Sequence, residues 1–585
     1  MSNHYSNRWE LDSLFSGGSQ SPALILALQT LKSDLEQMLP SPSAALHTII
    51  LALQDFDARC YELQALIDCL LSQNVNDEKA IQLQEQIVVI RALYENLSSV
   101  LDEYLSKLSE SDFKQLLEHP DLQNITFSIQ ERREWNRELL PLAQEQLIHR
   151  LWINGYQGWN DMYEAFMGQF RIPFPDQAGA ERLSVGQAEN LLSHPDRKVR
   201  HTVFKEWEKT WSMHEGSFAQ ILNHLAGFRL QLYEARGWTS VLKEPLFCNR
   251  MQDTTLNSMW KAVERHKQGL VRYLNKRARL FDSSQLAWFD ISAPLPQETL
   301  PFISFNEAAE LIKSQFSKFS PRMGAFATKA FQNKWIEAED REGKRAGGFC
   351  AHFPISQQSR IFMTYNGSMT NIFTLAHELG HAYHNEVVDP LPRFSQHYRM
   401  NVAETASTLC ETIVIDSLIH QTTNLGLKTV LLDHKIQRAV VFLMNIHARF
   451  LFETRFYAER KKGFVLPSML NSLMQEAQQE AFCNALSEWH PHFWVAKQHF
   501  YATSVPFYNF PYTFGYLFSL GIYAHLQQLG PKSCGKYDSL LADTGRMEVE
   551  KLAQKHLGVD LTQPDFWEKA LELIEEDISK LLQII

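Results

Sequence analysis

Between residues 22 and 107 the apolar positions fall into a helical rhythm. Leu83, Ile87, Ile90, Tyr94, Leu97 and Leu101 alternate steps of four and three, which lines one face of a helix and leaves charged residues on a solvated one. Pro40-Ser41-Pro42 and Ser72-Gln73-Asn74 interrupt the rhythm, so the stretch predicts a helical hairpin or bundle. A further helix is expected from Ser111-Asp112-Phe113, with a polar cap at its start, to His119-Pro120. Residues 127–169 keep the helical pattern and carry Trp135, Trp152, Tyr156, Trp159, Tyr163 and Phe166. No basic stripe runs between these rings, so they read as helix-packing core rather than a stacking platform.

Arg171 to Ala180 breaks the pattern with two prolines and a glycine among small residues. It marks the expected boundary between an N-terminal helical domain (1–180) and a second domain (181–585). Helices are expected again over 193–235, starting at Ser193 or His194 before Pro195, and over 254–280, with Gly237 and Pro245 between them. Trp288-Phe289-Asp290-Ile291 reads as short and extended. The first clear strand is Gly347–Phe353, entered through the charged turn 341–345. Arg360–Thr364 reads as a second strand, closed by Asn366-Gly367. Ser368 or Thr370 can cap the helix that follows, whose buried stripe is Ile372, Leu375, Leu379 and Ala382. The expected fold is mainly α, with a small β-sheet beside this last helix.

Composition adds mostly exclusions. The formal charge of −11 is spread along the chain without a basic cluster, which argues against nucleic acid as a partner. Seven cysteines, no C-x-x-C pair and mostly apolar surroundings point to free thiols in a reducing compartment. The N-terminus lacks an apolar h-region, and no run of 18 uncharged apolar residues occurs. A cytoplasmic protein without a membrane span is therefore expected.

The chemistry lies in the helix after the strands, which reads NIFTLAHELGHAYHNE from Asn371 to Glu386. His377 and His381 stand four apart, one above the other on the same face, where two imidazoles can share one Zn²⁺. Glu378 can serve as general base toward a water at that metal. A third ligand is needed, and His384 and Val387 stand where the metzincin pattern would have Gly and His, so that class is excluded. In Asn401 to His420, Glu404 and Glu411 line one face of an otherwise apolar helix. Two carboxylates there need a positive partner. Glu404 is expected as the third ligand and Glu411 as the acceptor that orients one histidine from behind. Glu386 and Asp389 compete for the ligand role but lie on the tail of the histidine helix. His384 borders the metal face and stands between a supporting role behind the ligands and simple packing.

HELGHAYH, followed by AETASTLCE beginning 22 residues after His381, resembles the zinc oligopeptidases of the oligoendopeptidase F and thimet-oligopeptidase type. DREGKRAGGFC (340–350), HFYATSVPFYNFPYTFGYLFS (499–519) and NRWELDSLF near the N-terminus are similar to segments of the same family. The resemblance implies a large multi-helix clamshell or bowl, with one zinc per chain deep in a cleft within a catalytic domain spanning 181–585. It implies His377, His381 and Glu404 as ligands, Glu378 as base, and short unstructured peptides as substrates. It also implies that His499 and tyrosines of the following segment stabilise the oxyanion. Tyr508 and Tyr512, four apart and flanked by Pro506 and Pro511, which fix the entry to a helix, are the candidates, with Tyr501 a third. Phe507, Phe510, Phe514 and Phe518 read as core. The strand at Gly347, Gly348 and Phe349 can accept an extended peptide by main-chain pairing, or can simply support the metal helix. The expected activity is zinc-dependent endopeptidase cleavage. The alternative is a peptide-binding protein with an intact zinc site and incidental activity.

Overall fold

The computed structural model describes residues 4–38, 45–176, 179–295, 302–529 and 534–585. Helices dominate, and two small sheets account for the strands. The N-terminal run forms helices Pro22–Gln37, Leu46–Gln73 and Glu78–Lys107. The break at Ser72-Gln73-Asn74 falls where it is expected, with Asp77 capping the next helix through Ala80 N–H. The break at Pro40-Ser41-Pro42 lies outside the described residues. Leu83, Ile87, Ile90, Leu97 and Leu101 are buried, and Tyr94 is half-buried. Tyr156 and Tyr163 are fully buried, while Trp135, Trp152, Trp159 and Phe166 are half-buried.

Local side-chain bonds moved several boundaries. The helix expected at Ser111 begins at Glu110 because Ser109, not Ser111, accepts from Asp112 N–H. The helix expected at Ser193 begins at Arg197, capped by Asp196 through Lys198 N–H. β1 (Arg171–Asp176) and β2 (Gly179–Ser184) pair antiparallel. Trp288–Asp290 is a single 3-10 turn rather than an extended segment. The Asp290 carboxylate accepts from Ala287 N–H and closes the turn.

The chain divides into two compact units, each drawn from three segments. The first comprises Met1–Leu139, Leu300–Ser417 and His525–Gly558. Its core joins Leu28, Leu53, Leu66 and Ile87 of the N-terminal helices to Phe353, Phe362 and Phe394. A three-stranded sheet lies in this unit, ordered β3 (Ile336–Glu337), β5 (Gln358–Phe362), β4 (Phe349–Phe353). β5 pairs parallel with β3 and antiparallel with β4, so β4 is an edge strand. The second strand thus starts at Gln358, two residues before the expected Arg360. Both β4 and β5 pack on helix Met369–Val388, capped by Ser368 through Asn371 N–H. The sheet is therefore beside the histidine helix, as expected.

The second unit comprises Leu140–Thr299, Leu418–Ala524 and Val559–Ile585. Its long helices Arg197–Ala235 and Asp253–Leu280 carry buried ion pairs and rings. Arg200 and Asp290 pair at 2.9 Å with both side chains wholly buried. Residues 510–524 of helix Phe510–Leu529 lie here, with Phe507, Phe510, Phe514 and Phe518 all buried. Among the described residues no helix is long and apolar enough to cross a membrane.

Candidate active site

Two helices carry the candidate ligands, all of which lie in the first unit. Helix Met369–Val388 presents His377 and His381 one turn apart, and helix Met400–Gln421 presents Glu404 and Glu411. They approach closely at Gly380. A Cβ there would stand 2.5 Å from Ser407 Cα and 2.7 Å from the Ala406 carbonyl oxygen, both backbone atoms. The glycine inside the motif is thus what lets the second helix reach the imidazoles.

His377, His381 and Glu404 bring one ligand atom each within 4.8 Å of one another. The two Nε2 atoms are 3.1 Å apart, and Glu404 Oε2 lies 3.3 Å from His377 Nε2 and 3.8 Å from His381 Nε2. Tetrahedral ligands at about 2.0 Å from zinc stand about 3.3 Å from one another, so the donor set fits that ion. His377 Nδ1–H donates to Glu411 Oε1 at 2.5 Å, which leaves the Nε2 lone pair facing the ligand triangle. Ser407 Oγ donates to Glu404 Oε2 at 3.0 Å and orients that carboxylate. Burial, with His377 close by, pushes His381 down to about 4, which keeps a ligand imidazole neutral.

Glu378 is 7% exposed, and its Oε2 has no hydrogen-bond partner among the described residues. Burial raises its pKa to about 7 against the pull of His377, with Glu404 adding to the rise. A carboxylate held near neutrality suits proton transfer in both directions. Gly348 adjoins it: a Cβ there would meet Glu378 Oε1 at 3.7 Å and the Phe362 carbonyl oxygen at 3.2 Å. Gly347 has φ +101°, a conformation that favours glycine, and Phe349 opens the edge strand with its ring stacked on Phe362.

His384 is fully buried, bonded through Nε2 to Thr544 Oγ1 at 2.8 Å and stacked on Tyr398 at 4.0 Å. None of these contacts is a ligand of the triangle. Glu386 pairs with Lys329 at 2.8 Å and Asp389 with His352 at 2.6 Å, so both competitors have other partners. In the second unit His499, Tyr508 and Tyr512 cluster, with Tyr508 4.5 Å and Tyr512 6.1 Å from the imidazole between ring centres. Tyr501 is fully buried, 3.8 Å from Tyr163 in a parallel stack.

A family model described as Peptidase family M3 matches residues 190–573, and one described as Oligopeptidase F matches residues 105–171. The chain belongs to peptidase family M3. It is a metallo-oligopeptidase of that family, a hydrolase of peptide bonds. Its relatives include Group B oligopeptidase PepB of Streptococcus agalactiae serotype III (strain NEM316), 24% identical across 88% of this chain and 86% of the relative. Oligopeptidase PepF of Bacillus subtilis (strain 168) is 22% identical across 80% of this chain and 70% of its own. The fold matches a solved chain from Chlamydophila abortus with a TM-score of 0.84, at 19% identity over 99% of this chain and 98% of that one. It also matches oligoendopeptidase-F from Enterococcus faecium with a TM-score of 0.69, at 18% identity over 96% and 97%.

In this M3 peptidase three supporting residues carried no sequence pattern of their own. Ser407 steadies Glu404, and Asn509 and Arg449 surround His499. Ser407 could have been found from its spacing, since it follows Glu404 by one helical turn. Arg449 lies 50 residues from His499, beyond the reach of any local period.

Proposed function

We propose that this M3 peptidase is a zinc-dependent endopeptidase of short, unstructured oligopeptides, with one zinc held by His377, His381 and Glu404. The observation that carries the reading is the convergence of three ligand atoms from two helices beside a buried, partnerless carboxylate oxygen. Zinc at that triangle would polarise the scissile carbonyl and make water nucleophilic near neutral pH.

Glu378 then takes a proton from the attacking water and returns it to the leaving amine, a role its elevated pKa suits. Glu411 keeps His377 in the tautomer that offers Nε2 as a ligand. Tyr508 and Tyr512 are the proposed donors to the developing oxyanion, with His499 in the same cluster. The edge strand Phe349–Phe353 and the Gly347-Gly348 segment before it offer main-chain groups to an extended peptide, a mode that reads shape more than sequence. The free thiols at Cys60, Cys69 and Cys410 suit a reducing compartment such as the cytoplasm.

The test is digestion of a peptide mixture of graded length, with and without a chelator, read by mass spectrometry. Internal cuts in short peptides that vanish with the chelator and return with zinc are expected. Glu378→Gln should cut kcat by roughly 10²–10⁴ while zinc content stays at one equivalent. A wild-type protein without turnover, whose peptide affinity is unchanged in Glu378→Gln, would instead be a peptide-binding protein.

A further inference from the structure

His499 is held by partners whose hydrogen-bonding roles are not interchangeable. Asn509 is 1% exposed, and its Oδ1 lies 2.8 Å from His499 Nδ1 and 3.1 Å from Arg449 Nη1. A guanidinium has donors only, so the amide must turn its oxygen, not its nitrogen, toward Arg449. That same oxygen faces the imidazole, and it can only accept. The proton of the ring therefore sits on Nδ1, and Nε2 carries the lone pair while the ring is neutral. Reversing the amide would set two donors against each other at Arg449.

The surroundings keep the ring neutral. Burial pushes its pKa down to about 4, with Lys497 and Arg449 adding to the drop and Asn509 opposing it. Glu189 is the carboxylate that bears on both of those cations, and Tyr508 and Tyr512 are the titratable groups beside the ring. Among the described residues nothing hydrogen-bonds to Nε2. A neutral imidazole with a bare Nε2 cannot donate to an oxyanion. It can accept from an N–H.

We propose that Asn509, oriented by Arg449, locks His499 as the Nδ1–H tautomer, so that Nε2 accepts a hydrogen bond from a backbone N–H of the bound peptide and oxyanion donation falls to the phenols Tyr508 and Tyr512. This rests on the endopeptidase reading above and reverses the donor role that the family resemblance implies for His499. Asn509 and Arg449 are positioning residues; of these three only His499 touches substrate.

Two measurements decide it. Imidazole ¹⁵N spectra of the whole protein at pH 7, with the His499 signals assigned by difference against His499→Gln, should show a protonated Nδ1 and a bare Nε2. In Asn509→Leu the proton should move toward Nε2, while Asn509→Asp, which keeps the acceptor, should retain it on Nδ1. Melting curves confirm that each variant is folded, and Asn509→Asp serves if Asn509→Leu is not. A wild-type spectrum with a protonated Nε2 overturns the proposal. Steady-state kinetics of zinc-loaded His499→Ala give the second reading. An acceptor for a peptide N–H that binds ground and transition states alike should raise KM about tenfold and leave kcat within about threefold. A kcat loss of about a hundredfold with KM unmoved would mean an oxyanion donor and overturn the proposal. If the zinc-loaded wild type cleaves no peptide at all, the endopeptidase reading fails and the substrate contact fails with it, whereas the spectra still decide the tautomer.

Discussion

At the scale of single residues, the site depends on one missing methyl group and one carboxylate behind a ligand. Gly380 lies between the two histidines, where an alanine Cβ would overlap Ser407 Cα and the Ala406 carbonyl. Backbone atoms of a packed helix cannot step aside alone, so the whole helix carrying Glu404 would have to move. Gly380→Ala should therefore lower stability by about 1–3 kcal/mol and reduce bound zinc, read by thermal melting and by elemental analysis of the same sample. Unchanged zinc content at an unchanged Tm would refute the close-approach argument. Glu411 acts through His377 Nδ1. Glu411→Gln should weaken zinc binding by about 10–100-fold, measured by competition with a chelator. His377 and His381 were legible as candidate ligands because four residues is one helical turn, a purely local fact. Glu404 was legible because a second carboxylate on the same apolar helix demanded a charge partner. Glu386 and Asp389 carry the same chemistry, and only their observed partners Lys329 and His352 account for them otherwise.

At the scale of elements, polar side chains fix where helices begin and how segments are tied down. Ser109 and Asp196 start their helices, and Asp290 turns an apparently extended tetrapeptide into a 3-10 turn. Each offers a side-chain oxygen to a backbone N–H a few residues away, and sequence alone presented several equivalent choices. A larger tie joins helix Arg197–Ala235 to the segment leading toward His499. Glu208 accepts from His490 and, at 2.7 Å, from His492, while His492 also bonds Glu215 at 3.0 Å. Burial alone would push Glu208 up, but His490 and His492 outweigh it and hold its pKa down to about 2. His492 is raised, burial being outweighed by Glu208 and Glu215. The contribution of Glu208 is present above its ordinary value near 4.5 and is lost as pH falls toward about 2. The contribution of His492 is present below its ordinary 6.5 and is lost as pH rises through its higher folded value. The difference in Tm between wild type and Glu208→Gln should thus be largest between pH 4.5 and 6.5 and shrink on both sides. A difference that is flat with pH would show that the network adds nothing through its charges.

At the scale of the whole molecule, each compact unit is assembled from three stretches of chain that are far apart in sequence. The N-terminal helices complete their core only with Phe353, Phe362 and Phe394. A fragment of residues 1–139 would expose the face those rings cover, so it should aggregate or lack a cooperative melt. A sharp melt and fixed near-ultraviolet dichroism in that fragment would contradict this. Mainly helical structure, the strand pair before the motif, and the two histidines of the candidate metal site with the carboxylate between them were readable from the chain, because helical period, turn chemistry and i,i+4 spacing act within a few residues. Family membership followed from the same motifs. The tertiary structure alone decided that Gly380 is the point of helix contact, that His384 faces Thr544 rather than a ligand, and that an arginine 50 residues upstream of His499 sets the orientation of Asn509 and so the tautomer of that histidine. Those are contacts between segments distant in sequence, and no local periodicity records which partner a buried polar group will meet.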